Sequence, residues 1–301
     1  MLLEIAIGDA YGNPYEFAPK DYIAENNDGL TYRSRDSKHG IRGGGEYTDD
    51  TQMSLAVAET ILSGPQYLKP ATFASGFITA YKREIPYRTG YGSRIRVALT
   101  NTNSGPEFIS EVTEPHSSSN GCVMRVLPCG LLSTPEMVQN AAISQCMASH
   151  LHHDAVDASR ILALVAHSSI YNGDIGFDQH VYWALKECGF DIEHKVIEYY
   201  KQFDEIPVDA MATVGAVFDV ITRSYDYVDV LKNSIDLGGD VDSVAALAMG
   251  LASLTPHIDK TIPISLYGGL EDGIFGRDYC QALDKRINTY ISKNKKQSIG
   301  I

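Results

Sequence analysis

Two short acidic runs are the residues best placed to do chemistry. Tyr47-Thr48-Asp49-Asp50-Thr51 follows Gly43-Gly44-Gly45, and Gly238-Gly239-Asp240-Val241-Asp242-Ser243 stands near the far end of the chain. Each run has glycines, then acids flanked by hydroxyls, then an apolar pattern at helical spacing. One reading is helix capping. Asp, Ser and Thr accept hydrogen bonds from the orphan amides of a helix N-terminus, and acids suit the positive end of its dipole. Capping needs only one such residue, however, and neighbouring carboxylates repel. A hard divalent cation such as Mg²⁺, Mn²⁺ or Ca²⁺ takes carboxylate and hydroxyl oxygens and relieves that repulsion. Two such clusters would suit a site in which adjacent cations share bridging oxygens.

Other groups of residues invite chemistry more weakly. Gly8-Asp9-Ala10 is followed by Gly12 and then by Glu16. An unbroken helix would turn Asp9 and Glu16 to nearly one face. Pro14 lies between them and argues against that helix, and taken alone the pair reads more simply as an exposed turn or helix face. Ser117-Ser118-Ser119-Asn120-Gly121 precedes Met124-Arg125 and Pro128. Small polar residues before a helix suit a phosphate, but a simple turn has the same composition. His150-Leu151-His152-His153-Asp154 suggests zinc, yet its register is wrong for H-x-H-x-D-H and no cysteine lies at ligand spacing. Consecutive His152 and His153 would point to different faces of a helix, which favours a surface or capping role. Gly90-Tyr91-Gly92 is too short for a dinucleotide fingerprint, and there is no G-x-S-x-G nucleophile elbow.

The elements that must carry these residues read as helices. Apolar residues recur at three- and four-residue spacings over 54–62, 135–147, 154–168, 182–188, 210–221 and 241–254, with a last helix over about 279–291. Small residues such as Ala245, Ala246, Ala248 and Gly250 permit close helix–helix approach. Alternating strand patterns are scarce. The stretch 83–114 reads as loops over a helical core. No linker splits the chain, so the expectation is one all-α domain over 1–293, with a basic, flexible tail over 294–301.

The 301 residues carry 25 Lys and Arg against 38 Asp and Glu, a formal charge of −13. That surplus argues against a basic face gripping nucleic acid or anionic lipid. No run of about 18 apolar residues suggests a membrane span. Residues 1–10 lack the basic start of a signal peptide, so a cytoplasmic protein is expected. The 5 cysteines are odd in number and widely spaced, and read as buried free thiols.

The four elements, in this order, resemble the ADP-ribosylglycohydrolase family, which includes dinitrogenase reductase-activating glycohydrolase and ADP-ribosylarginine hydrolases. The likeness spans Gly8 to about Ile291: G-D-A-x-G with a downstream Glu, Y-T-D-D-T, S-N-G-x-x-M-R-x-x-P, S-H and G-G-D-x-D-S. It implies a compact, single-domain orthogonal helical bundle with two divalent cations, Mg²⁺ or Mn²⁺, at the bottom of a cleft. By that resemblance Thr48, Asp49, Asp50, Asp240, Asp242 and Ser243 are the metal ligands, Ser243 standing where the family commonly has Thr. Glu16 and Asp240 are the catalytic carboxylates, Glu16 as base or gate. Ser117, Ser118, Ser119, Asn120 and Gly121 hold the diphosphate and distal ribose, and His150 lies near the substrate. His116-Ser117-Ser118-Ser119 stand where relatives often have Gly and an aromatic residue, and Ser149-His150 where they have Thr-His.

The implied reaction is hydrolysis at the anomeric carbon, releasing ADP-ribose from a modified protein side chain, with arginine favoured by analogy. The implied partner is an ADP-ribosylated protein, and the chain is expected to act as a monomer, with no need for nucleic acid or membrane. Two alternatives remain: a non-catalytic ADP-ribose-binding relative, or another all-α Mg²⁺ enzyme such as an isoprenoid synthase. The D-D-x-x-D signature of the latter would need an acid where Met53 stands.

Overall fold

The structure is a computed structural model that describes residues 1–37, 40–84, 88–112, 116–173, 175–190 and 196–298. Its helices in chain order are α1 (Leu2–Gly12), α2 (Lys20–Asn26), α3 (Asp49–Leu62), α4 (Pro70–Arg83), α5 (Ser93–Asn101), α6 (Gly105–Val112), α7 (Pro135–Met147) and α8 (His153–Tyr171). They continue as α9 (Phe177–Glu187), α10 (Val196–Tyr199), α11 (Ala210–Thr222), α12 (Tyr227–Ile235), α13 (Val241–Ala252), α14 (Ile264–Gly269) and α15 (Arg277–Ser298). The one sheet among the described residues is an antiparallel hairpin, β1 (Ser34–Ser37) with β2 (Gly40–Gly43), in which Arg35 pairs with Arg42. The all-α class follows.

At the centre, α13 is buried along its whole length and α1 at every residue but Glu4. A helix that is apolar all round belongs inside. The glycines of α1 set how closely the two approach. A Cβ on Gly8 would stand 2.9 Å from Ala246 Cα, and one on Gly12 would stand 3.0 Å from Asp242 Cβ and closer still to its Cα. Only hydrogens fit there, so the motif that begins the chain is a close-packing device against α13.

Two sequence expectations differ from the structure. The stretch 83–114 is not simply loop, since α5 and α6 form within it and α6 packs back on α4. The last helix continues to Ser298, where a tail was expected from 294. Asn294 explains part of this, because its amide donates to Leu131 O at 3.4 Å and to Tyr171 Oη at 3.2 Å. Residues 299–301 of that expected tail lie outside the described residues. Asp284 of α15 also accepts from the backbone amides of Leu2 and Leu3 at 3.0 and 3.1 Å, which caps α1 from across the fold. The break expected at Pro14 is present: α1 stops at Gly12 and a 3-10 turn follows over Asn13–Tyr15. No described helix is long and apolar enough to cross a membrane.

A carboxylate-lined cleft as candidate active site

Helix capping does not explain the acidic runs. Thr48 is the N-cap of α3 and Asp240 the N-cap of α13, yet neither makes a side-chain capping bond. The α3 cap comes instead from Asp9 of α1. Its Oδ1 accepts from Thr48 N and Thr48 Oγ1 at 3.0 and 2.8 Å, and its Oδ2 from Thr51 N and Thr51 Oγ1 at 2.9 and 2.6 Å. Asp9 is fully buried rather than on an exposed turn. Burial pushes its pKa up to about 7, against the lowering pull of the Thr51 and Thr48 bonds. Asp9 thus spares Asp49 and Asp50 from the helix amides and aims them elsewhere.

They aim into a cleft of about 280 Å³. Its lining includes Glu16, Asp49, Asp50, Asp240, Asp242 and Ser243, together with Ser119, Asn120, Gly121 and His150. Burial first, then the charges of Asp9 and Asp242, holds Asp49 and Asp50 well above the usual carboxylate range. Burial and Asp242 do the same to Asp240, while Asp242 is raised by burial against the pull of Arg42. So crowded a set of acids is costly unless positive charge offsets it.

Their geometry fits hard cations. Glu16, Asp240 and Asp242 each bring an oxygen within 4.8 Å of the others. Asp50 Oδ1 is buried without a hydrogen-bond partner, which leaves a lone pair aimed at nothing in the protein. The backbone at Gly90, with φ of 98°, passes so near that a Cβ would stand 2.9 Å from Asp49 Cγ. Thr48 Oγ1 gives its proton to Asp9 and keeps lone pairs for a cation. The donors are all oxygen, the set preferred by Mg²⁺ and Mn²⁺.

Glu16 follows the 3-10 turn and forms an ion pair with Arg42 of β2. Arg35, its cross-strand partner, donates to the carbonyls of Pro14 and Glu16 at 2.6 and 2.7 Å. The hairpin thereby grips the segment that carries Glu16. Phe17 N donates to Gly239 O at 2.8 Å, which joins this segment to the second acidic run.

The serine loop is tied to the same centre. Asn120 Nδ2 donates to Asp240 Oδ2 and, at 3.0 Å, reaches Thr213 Oγ1. Ser118 turns away from the cleft, its Oγ donating to Asp209 Oδ2 at 2.9 Å, and Ser117 donates to Ser119 at 3.0 Å. Of the sequence-chosen residues, Ser117 and Ser118 therefore stand behind the lining rather than in it, and Thr48 stands beside it, its Oγ1 3.5 Å from Asp50 Oδ2. Several lining residues escaped sequence reasoning. Gly90 and Tyr91 form no dinucleotide fingerprint but line the cleft, and Tyr91 Oη bonds Gln52 Oε1 at 2.6 Å. Arg125 reads in the sequence only as part of a motif, yet lines the cleft. Met53, where the isoprenoid-synthase signature needs an acid, lies here buried.

The histidine run forms no part of this cleft beyond His150. His152 precedes α8, where its Nδ1 accepts from Asp154 N at 3.3 Å as an N-cap. The His152 and His153 rings lie 4.4 Å apart, not on different faces, because His152 is extended rather than helical.

Comparison with known proteins agrees with this geometry. The ADP-ribosylglycohydrolase family model matches residues 1–297. The chain is 25% identical over 268 residues to ADP-ribosylarginine hydrolase Tri1 of Pseudomonas putida, covering 83% of this chain and 68% of that protein. It is 27% identical over 279 residues to ADP-ribosyl-[dinitrogen reductase] glycohydrolase of Rhodospirillum rubrum, covering 85% and 84%. A solved ADP-ribosylglycohydrolase-related protein complex shares the fold, with a TM-score of 0.70 at 22% identity over 96% of each chain. The isoprenoid-synthase reading falls away: the chain belongs to the ADP-ribosylglycohydrolase family and is a glycosidic-bond hydrolase.

Proposed function

We propose that the chain removes ADP-ribose from arginine side chains of modified proteins, with two divalent cations, Mg²⁺ or Mn²⁺, in the acidic cleft. The observation that carries this reading is the convergence in one cleft of two acidic runs, whose N-cap residues make no side-chain capping bond, with a serine-asparagine loop. The names of two relatives, an ADP-ribosylarginine hydrolase and an ADP-ribosyl-[dinitrogen reductase] glycohydrolase, support the substrate class.

Thr48, Asp49, Asp50, Asp240, Asp242 and Ser243 would hold the cations. These supply positive charge that orients the distal ribose hydroxyls and acidifies a neighbouring water. Ser119, Asn120 and Gly121 face the cleft and bind the diphosphate, with Ser117 and Ser118 shaping their loop. As the glycosidic bond breaks, positive charge grows on the anomeric carbon, and the carboxylates of the cleft stabilise it. Glu16 takes the proton of the attacking water once its carboxylate leaves Arg42. Asp240, fixed by Asn120, holds the reacting ribose in place.

A parallel release assay on arginine-, serine- and aspartate/glutamate-linked ADP-ribose, each with Mg²⁺ or Mn²⁺, tests the reading. Release from arginine well above the other linkages is expected. Binding of ADP-ribose without release from any linkage would instead mark a non-catalytic binding protein.

A further inference from the structure

A chain of side-chain hydrogen bonds begins behind the cleft and ends in it. Arg125 is 1% exposed and has no carboxylate among its hydrogen-bond partners. It lies over the Phe77 ring at 4.2 Å and donates to Gln145, Met53 and Ser149. The bond to Ser149 Oγ measures 2.7 Å. Ser149 Oγ lies 2.8 Å from His150 Nδ1, and His150 Nε2 lies 2.9 Å from Ser119 Oγ. Ser119 Oγ also accepts from Ser117 Oγ at 3.0 Å.

The direction of this chain follows from its first member. A guanidinium can only donate, so Ser149 Oγ accepts from Arg125. The Ser149 proton then needs an acceptor, and His150 Nδ1 is beside it. With Nδ1 accepting, the imidazole proton sits on Nε2 and is donated to Ser119. Ser119 Oγ thus accepts twice, from His150 and from Ser117. Its own proton has one place left to go, into the cleft it lines. The opposite tautomer would leave the Ser149 hydroxyl, 2% exposed, without an acceptor. That is disfavoured by about tenfold.

We propose that Arg125, Ser149 and His150 are positioning residues that lock His150 in its Nε2–H tautomer and so turn the Ser119 hydroxyl into a fixed donor toward an anionic oxygen of the ligand. The ligand half of this inference rests on the reading of Ser117–Gly121 as the diphosphate loop. Burial, then the charge of Arg125, pushes the His150 pKa down to about 3. The ring therefore stays neutral at working pH and can accept at one nitrogen while donating at the other. Gly121 leaves room for it, since a Cβ there would stand 3.2 Å from His150 Cε1.

The test is the tautomer, read from long-range ¹H–¹⁵N correlations of the histidine rings in the Mg²⁺-loaded full chain, with His150 assigned through His150→Gln. Wild type should show Nε2–H in about tenfold excess, and Ser149→Ala should relax toward the mixture of a free imidazole. ADP-ribose titration supplies the second arm. Ser119→Ala should bind about tenfold more weakly. His150→Gln, whose amide still donates, should recover part of the affinity that His150→Leu loses. A predominantly Nδ1–H ring in wild type, or a tautomer balance in Ser149→Ala identical to wild type, overturns the relay. Equal affinity of Ser119→Ala and wild type overturns the donor role. A wild type that binds no ADP-ribose defeats the diphosphate-loop reading and the ligand half with it, while the tautomer still decides the relay.

Discussion

Gly12→Ala is the most informative single change to the scaffold. The added methyl would sit about 1 Å inside ordinary carbon–carbon contact with Asp242 Cα, and its other near neighbours are Asp242 N and Cβ, at 3.1 and 3.0 Å. Backbone cannot rotate aside as a side chain can, so α1 and α13 must part by about that distance at Asp242 itself. Overpacking of this kind costs roughly 1–3 kcal/mol of stability. A misplacement near 1 Å at a catalytic group costs on the order of a hundredfold in rate. Gly250→Ala is the matched control, because its Cβ would meet the side chains of Ile5 and Leu127, which can shift. Urea unfolding, Mn²⁺ titration and ADP-ribose release would be measured on both variants. Gly12→Ala should lose both metal affinity and turnover, and Gly250→Ala should lose stability with far smaller effect on the other two. Gly12→Ala with wild-type metal affinity and turnover would refute the argument that helix spacing sets the position of Asp242.

Other consequences follow from the same geometry. Gly90→Ala places a methyl against Asp49 at a residue with φ of 98°; Mn²⁺ affinity by equilibrium dialysis should fall at least about tenfold. His150 titrates at about 6.5 when unfolded but about 3 when folded. Its contribution to stability is therefore present above pH 6.5 and is lost as pH falls toward 3, because the unfolded chain binds the proton first. Between pH 7 and pH 4 wild type should lose about 3 kcal/mol relative to His150→Gln in paired urea titrations, and parallel curves would contradict this. Asp209 caps α11 through Met211 N and Ala212 N at 3.1 and 3.0 Å, and also holds Ser118. Asp209→Ala should cost about 1–2 kcal/mol of stability and weaken ADP-ribose binding in calorimetry.

What the sequence made legible was local. The two acidic runs are contiguous, so their grammar of glycine, acid, hydroxyl and helix is visible in a few residues. The helices over 135–147 and 210–221 were readable because their apolar spacing is regular and capping residues precede them. What stayed hidden depends on partners far away in the chain. Asp9 reads as a turn residue until Thr48 and Thr51 stand beside it. Gly8 and Gly12 have no legible role until α13 fills the space next to them. Arg42 has no visible role in a run of polar residues, because only pairing with β1 brings it to Glu16. Gly90 matters for the Asp49 carboxylate it touches, which no local pattern announces.

Release of ADP-ribose from an arginine-modified protein, followed in one metal-stripped, chelated sample before and after Mg²⁺ or Mn²⁺ is restored in excess of the chelator, tests the central claim most directly. The acidic cleft predicts no release until the cation returns, and no recovery in Asp49→Ala or Asp240→Ala. Undiminished turnover by the stripped wild type would contradict it.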